Sequence, residues 1–525
     1  MKASSSPLSR RRFLALLGAT GGSHAVAGAL SAWGLLPAST QRQPPPLEGS
    51  GNGIRVLVLG AGLAGMTTAI ELGARGYDCT IVEARERSGG RVYTLRGGTQ
   101  LRQVGRPDYT VPFEAGLWFN PGPWRIPHSH AATLHYCQRF GVPLEVFTND
   151  NENGWVARAD DDRIRVGTLR ADARGRIGEL LAKVAGDLDA SVSPEDEERL
   201  VEFLRNELGL AARDLAYTGD DRRGYEVFPG AGADSGRVGD PLRLGTVLDW
   251  AGDVPGVALL GLPTRFFQQP MLHPVGGMDR IADAFEAQLP GRILFRHEVR
   301  LVRQDERGVR VIVRDLATAT DRELGAEFAV AAIPTSVLNR IDGDWSADTR
   351  RAFAQIPYLP VGKLGLQASS RFWEVEDQIY GGHSYTSAEM GTISYPSTEY
   401  HAAKGILQGF YLFGGQAVEI SALDQPERAR RAIASAAAIH PDIDNHVEAW
   451  ASHFWHLERY NLGGWAEHTA ESRAEAHIHL LEPDGRVYFA GEHLSYMPAW
   501  MAGAIESAWF TIAKLHERAQ QERPA

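Results

Sequence analysis

The sequence predicts an α/β chain in which a discontinuous, Rossmann-like dinucleotide-binding domain carries an α+β substrate domain and a helical insert. Three observations predict it. The strand-like run Ile54–Leu59 leads directly into Gly60-Ala61-Gly62-Leu63-Ala64-Gly65, and an acidic residue, Glu83, closes a second strand-like run eighteen positions after Gly65. Strand and helix signals that fit the same layer resume only near residue 273, and again at Gly485–Ala508, so the domain is interrupted.

Each element of the opening βαβ unit has a physical reason. The first glycine permits the tight turn, the second lets backbone approach a pyrophosphate, and the third lets the helix pack on the strand. The helix N-terminus then faces the phosphates. Glu83 ends Asp78-Cys79-Thr80-Ile81-Val82, where a carboxylate accepts hydrogen bonds from ribose hydroxyls and repels a 2′-phosphate, which disfavours NADP. Small residues in any strand-to-helix turn produce GxGxxG by chance, so the flanking segments carry the assignment.

Further along, Leu272–Met278 followed by an amphipathic run to Leu289 reads as a loop and helix. Ile293–Arg296, Val299–Val302 and Gly308–Val313 read as strands with a hairpin. Ser193-Pro194-Glu195-Asp196 supplies a helix cap, a proline at the first helical position and first-turn acids. The Gly- and Asp-rich stretch 217–240 reads as a long loop able to cover an entrance. The expected layout is 54–115, 270–352 and 484–520 for the nucleotide domain, 116–150, 241–269 and 353–483 for the substrate domain, and 151–240 for the helical insert.

At 525 residues the chain has room for about three units. A net charge of −11, with no basic cluster beyond the N-terminus, argues against nucleic acid as a partner. The N-terminus itself reads Ser9-Arg10-Arg11-Arg12-Phe13-Leu14, then a weakly hydrophobic, Gly-rich stretch from Ala15 to Leu36, then a polar linker. This pattern is expected of a twin-arginine export signal occupying 1–50, handled by the twin-arginine machinery and delivering the protein to the periplasm or outside the cell. A retained anchor is the alternative, disfavoured by glycines at 18, 21, 22, 28 and 34. Cys79 and Cys137, the only cysteines, fall on apolar faces and are expected to be buried free thiols.

Two segments place charge where it could do chemistry. Gly122-Pro123-Trp124-Arg125-Ile126-Pro127 stiffens the backbone around one arginine, whose planar fork pairs bidentately with a carboxylate. A surface arginine in a loop is the bland alternative. Lys363 is a cation in the apolar strand Val361–Leu366, where a solvent-facing lysine is the alternative. His128, His130 and His135 have offsets that do not make a metal site, and read as cap and surface histidines, so no metal is expected.

Together with Glu86-Arg87-Ser88-Gly89-Gly90-Arg91, Phe140-Gly141-Val142-Pro143-Leu144, Gly485–His493 and Trp500–Ala508, these motifs resemble the flavin amine oxidase superfamily, and within it the L-amino-acid oxidase branch. The resemblance implies FAD, bound noncovalently because no cysteine precedes Trp500. It implies a cofactor shell of Gly60, Gly62, Leu63, Ala64, Gly65, Glu83, Ala84, Arg85, Gly90, Arg91, Gly122, Pro123, Trp124, Arg125, Val299, Gly491, Glu492, Trp500, Met501 and Ala504. Arg125 and Tyr395 are expected to bind a substrate carboxylate, Lys363 to hold a water and assist reaction with oxygen, and Trp500, Ala499 and Trp465 to line the substrate cavity.

The implied reaction takes an L-α-amino acid, O2 and water to a 2-oxo acid, ammonia and hydrogen peroxide, the water hydrolysing an imino acid. Nearby aromatics lean toward large apolar or aromatic substrates, and relatives suggest a homodimer. An amine or polyamine oxidase and an amino-acid 2-monooxygenase are the alternatives the sequence leaves open.

Overall fold

A computed structural model of the chain describes residues 42–522 except 160–161, 186–192, 255, 257–258 and 262–264. The twin-arginine segment lies outside the described residues. Among them no helix is long and apolar enough to cross a membrane.

A five-stranded parallel sheet gathers strands from distant parts of the chain, in the order 293–294, Asp78–Val82, Arg55–Leu59, Phe328–Ala331, Val487–Phe489. Val56 to Leu59 and Phe328 to Ala331 are buried without interruption, as strands covered on both faces must be. Leu59 stands between Val82 and Ala331 in register, so three strand ends open at one edge. The helices Leu63–Gly73 and Met501–Gln521 pack on one face through Met66, Ile70, Ile505 and Trp509. A separate sheet, antiparallel through Thr320–Ala326, Val309–Asp315 and His297–Gln304 with a short parallel strand at 342–343, stands beside them.

The second large layer is a seven-stranded sheet ordered Arg163–Arg165, Trp155–Ala157, His383–Thr386, Thr392–Ser394, Gly405–Phe413, Val361–Ala368 and Val447–Phe454. Strand Val361–Ala368 is buried at every position. Strands Trp155–Ala157 and Arg163–Arg165, expected within the helical insert, instead form the edge of this sheet, because Val156 and Ala157 bury against its core. The insert proper begins with helix Val166–Lys183. Its second helix, Pro194–Leu208, starts as the sequence indicates, with the Ser193 hydroxyl accepting the Asp196 N–H at 3.1 Å, and ends at Gly209 in the left-handed region.

One sequence expectation shifts. The run 293–296 is broken by Arg296 at φ 59, so only 293–294 joins the parallel sheet and the next strand starts at His297. Strands Thr320–Ala326 and Phe328–Ala331 carried no clear periodic signal, one being mostly polar and exposed and the other short and wholly buried. Cys79 and Cys137 are free and buried, which pushes both thiols up to about 12.

Candidate active site

A cavity of about 450 Å³ runs from the open edge of the parallel sheet to the seven-stranded sheet. Gly60, Gly62, Leu63, Ala64, Glu83, Ala84, Arg85, Gly90, Arg91, Gly122, Pro123, Val299, Gly491, Glu492, Trp500, Met501 and Ala504 line it, as do Ala499 and Trp465. Three expected members are not on this wall. Gly65 lies under it, because the helix packs so close that a Cβ there would stand 2.0 Å from the Gly60 carbonyl oxygen. Trp124 and Arg125 sit behind Gly122 and Pro123, turned toward the seven-stranded sheet, where Trp124 lines a second cavity of about 70 Å³.

Polar groups along the wall are held by one another. The Glu83 carboxylate accepts the N–H groups of Ala61 at 2.9 Å and Arg85 at 2.8 Å. Arg85 pairs with Glu458 at 3.0 Å, and Arg91 with Glu492 at 2.8 Å while also donating to the Gly464 carbonyl. Burial opposes the charge on Arg91, yet the Glu492 carboxylate holds it above its ordinary value. At Gly62 a Cβ would meet no protein atom within 4 Å, so this turn faces open space and the first N–H groups of helix Leu63–Gly73 look into it.

One face of the seven-stranded sheet supplies the other end of the site. Lys363 and Tyr411 are register partners on adjacent strands. Lys363 is fully buried, and its Nζ donates to the Gly122 carbonyl at 2.7 Å while lying 4.6 Å from the Trp124 ring and 4.3 Å from the Tyr411 ring. Burial first, then the nearby Arg125 charge, push Lys363 well below its ordinary value. The Arg125 guanidinium lies over the Trp124 ring at 5.1 Å and the Phe267 ring at 4.8 Å, and donates to Asn149 Oδ1 at 2.6 Å. Among the described residues it has no carboxylate partner, and burial pushes it down to about 10.

Tyr395 does not reach this group. Ser394 and Tyr395 turn to opposite faces of the sheet, as neighbours in extended chain do. Ser394 faces His383, its Oγ 2.8 Å from Nδ1, whereas the Tyr395 hydroxyl bonds Ser384 Oγ and His440 Nε2, each at 2.7 Å, within the core. The tyrosine beside Lys363 is Tyr411, and Tyr385 and Tyr411 are the phenols that act on the Arg125 charge. Sequence reasoning missed Tyr411 because it sits in the apolar run Gly405–Phe413.

His130 holds a cap position, at the N-terminus of helix Ala131–Arg139, but not a surface one. It is buried, its ring stands edge-on to Trp500 at 4.8 Å and Phe266 at 5.3 Å, and burial pushes it down to about 4. Trp500 further contacts Phe267 at 5.9 Å, joining the Arg125 wall to the cavity wall. Trp465 is half-buried, with its Nε1 donating to Glu467 and its ring 5.7 Å from Phe413.

A dinucleotide cavity that ends against a buried lysine, a guanidinium without a carboxylate partner among the described residues and an aromatic wall fits the class of dinucleotide-dependent oxidoreductases. Comparison makes the class specific. Residues 63–511 match the flavin containing amine oxidoreductases, and the chain belongs to that family.

It is 29% identical over 473 residues to YobN of Bacillus subtilis (strain 168), which carries a provisional L-amino-acid oxidase name, covering 86% of this chain and 92% of that protein. It is 25% identical over 502 residues to the L-amino acid oxidase Bs29 of Bothriechis schlegelii, covering 90% and 92%. In fold it resembles cyclohexylamine oxidase from Brevibacterium oxydans IH-35A, with TM-score 0.59 and 18% identity over 90% of this chain and all of that one. Putrescine oxidase bound to putrescine superposes with TM-score 0.58 at 16% identity, over 90% of this chain and 99% of that one.

The cofactor of this family is FAD, and the residues present fit it. Gly62 leaves free space at the helix N-terminus, Glu83 stands at the end of the second strand, and the cavity continues past Glu492 to Trp500.

Proposed function

We propose that the protein oxidises L-α-amino acids to 2-oxo acids with release of ammonia and hydrogen peroxide, with a preference for large apolar or aromatic side chains. FAD would supply the electron acceptor for the substrate and pass the electrons on to O2. One observation carries the reading. The half-buried Arg125 guanidinium stands between two aromatic rings with no carboxylate partner among the described residues, an arrangement that an anion would complete.

Arg125 would take the α-carboxylate by a charged, forked contact, and Tyr411 would face the same ligand across Lys363. Trp500, Ala499 and Trp465 would confine the side chain, with Phe266 and Phe267 adding apolar wall. Lys363, held to the Gly122 carbonyl, would fix a water and assist the oxygen step. Gly62, Leu63, Ala64 and Arg91 would surround the pyrophosphate, Glu83 the ribose, and Glu492, Met501 and Ala504 the far end of the cofactor. Neither cysteine lies on the cavity wall, which supports noncovalent FAD. We further propose twin-arginine export to the periplasm or medium, from Arg10-Arg11-Arg12-Phe13, and a homodimer.

Anaerobic mixing of the FAD-loaded enzyme with L- and D-amino acids, tyramine and putrescine tests the reaction. Flavin bleaching by L-amino acids, with 2-oxo acid and peroxide on return of air, is the expected result. Bleaching by amines alone would remove the amino-acid assignment, and release of carbon dioxide with an amide product would replace oxidase by monooxygenase.

A further inference from the structure

The face of the seven-stranded sheet that carries Lys363 holds a second organised feature. His383, Ser394 and Gln408 form one cross-strand row, His383 paired with Ser394 and Ser394 with Gln408. Gln408 Nε2 donates to Ser394 Oγ at 3.2 Å, and Ser394 Oγ lies 2.8 Å from His383 Nδ1. The serine hydroxyl, one lone pair taken by the amide, can give its proton to Nδ1, and the neutral imidazole then carries its own proton on Nε2. That Nε2 has no protein partner among the described residues.

The position of the ring gives this donor a target. His383 packs on Trp124 at 5.6 Å, the same ring over which Arg125 lies at 5.1 Å and Lys363 at 4.6 Å. Burial first, then the Arg125 charge, push His383 down to about 3, with Asp150 pulling the other way. The imidazole is therefore a neutral donor at any ordinary pH, standing in a field that attracts anions. A guanidinium and a preorganised N–H that share one aromatic ring make a two-point receptor.

We propose that His383, through Nε2–H, is a second donor to the substrate carboxylate held by Arg125 and so a specificity-determining residue for α-carboxylates. The inference rests on the amino-acid reading of the Arg125 site. The row Gln408–Ser394–His383 serves it by fixing the tautomer, a role for the buried side chains of Ser394 and Gln408.

Benzoate, with benzamide as its uncharged twin, titrated into the FAD-loaded enzyme and followed by the flavin spectrum, tests it. A donor lost to a charged group costs roughly 10- to 100-fold, and His383→Phe should weaken benzoate by that factor while leaving benzamide unchanged. His383→Gln, which keeps an N–H, should recover most of the loss. KM should rise for every L-amino acid alike, with kcat less affected. His383→Ala replaces the phenylalanine variant if that fails to retain FAD.

Unaltered benzoate affinity in both variants overturns the proposal, as does a loss confined to one class of side chain. Arg125→Met separates the two levels. Loss of benzoate there, with intact binding in the His383 variants, sinks the inference and keeps the amino-acid reading. A wild-type enzyme that neither binds benzoate nor is reduced by L-amino acids sinks both.

Discussion

Lys363 Nζ and the Gly122 carbonyl oxygen, 2.7 Å apart, tie the centre of the seven-stranded sheet to the glycine turn that borders the cofactor cavity. The lysine gains this one hydrogen bond and two aromatic faces in exchange for its hydration. A group kept at such cost is expected to act in a step and not only to pack. Lys363→Met preserves length and apolar volume, and it should slow reoxidation of the reduced flavin on the order of 100-fold. Reduction by substrate should change far less. Stopped-flow measurement of the two half-reactions separates them, and equal slowing of both would mean that the lysine only supports the fold.

Arg125 has no carboxylate partner among the described residues, and neither do the buried Arg428 and Arg473. Those two donate to backbone carbonyls, Arg428 to Ile420 and Ser421 and Arg473 to Ser495, whereas Arg125 is offered only the Asn149 side-chain carbonyl. Truncating one partner of a buried charged contact costs about 2–5 kcal/mol. Arg125→Ala should therefore lower kcat/KM for L-amino acids by a factor on the order of 100 or more, with the visible flavin spectrum retained. Steady-state kinetics on three amino acids of different side chain would show it, and undiminished turnover would dismiss Arg125 as the anchor.

Gly62 and Gly65 belong to one motif yet predict opposite phenotypes. At Gly65 a Cβ would press against the Gly60 carbonyl at 2.0 Å, and at Gly62 it would project into free cavity. Gly65→Ala should destabilise even the FAD-free protein, by about 1–3 kcal/mol of overpacking. Gly62→Ala should leave the melting temperature of the FAD-free protein unchanged and weaken FAD binding. Calorimetry of both apoproteins, followed by FAD titration, gives the comparison, and a matching loss in the two apoproteins would contradict it.

Tyr395 and Tyr411 make a similar pair within the substrate layer. Tyr395 joins Ser384, His440 and, through His440 Nδ1 at 3.1 Å, Asp377 in a closed buried network. Tyr395→Phe should lower stability by about 1–3 kcal/mol, the cost of stranding its partners, with KM little changed. Tyr411→Phe should raise KM for amino acids while the melting temperature holds. Reversal of these two outcomes would restore Tyr395 as the substrate ligand.

The contrast also marks how far the sequence could be read. The βαβ turn, Glu83, the Ser193 cap and the lysine strand each follow from local rules of turn, cap or periodicity, and the structure places the first two on the cavity wall. Tyr395 failed because facing in a strand depends on register, and a one-residue slip exchanges cavity for core. Tyr411 and His383 reach Lys363 and Trp124 only through strand pairing between residues far apart in the chain. His130 was unreadable because its cover, Trp500 and Phe266, arrives from elsewhere in the chain.

Buried neutral histidines set a final expectation for acid stability. His130 and His453 are pushed down to about 4, and His383, His468 and His493 to about 3, each chiefly by burial, against 6.5 when unfolded. Between pH 4 and 6.5 the unfolded chain therefore binds protons that the native state does not. Stability must rise with pH across that window and level off above it, with each histidine adding up to about 1.4 kcal/mol per pH unit. Melting temperatures taken from pH 4.5 to 8 should climb steeply to about pH 6.5 and then flatten. His453 has no hydrogen-bond partner for either ring nitrogen among the described residues, so His453→Phe should reduce the slope below pH 6.5 without lowering the plateau. A wild-type profile flat from pH 5 to 7 would mean that these imidazoles take up protons in the folded protein.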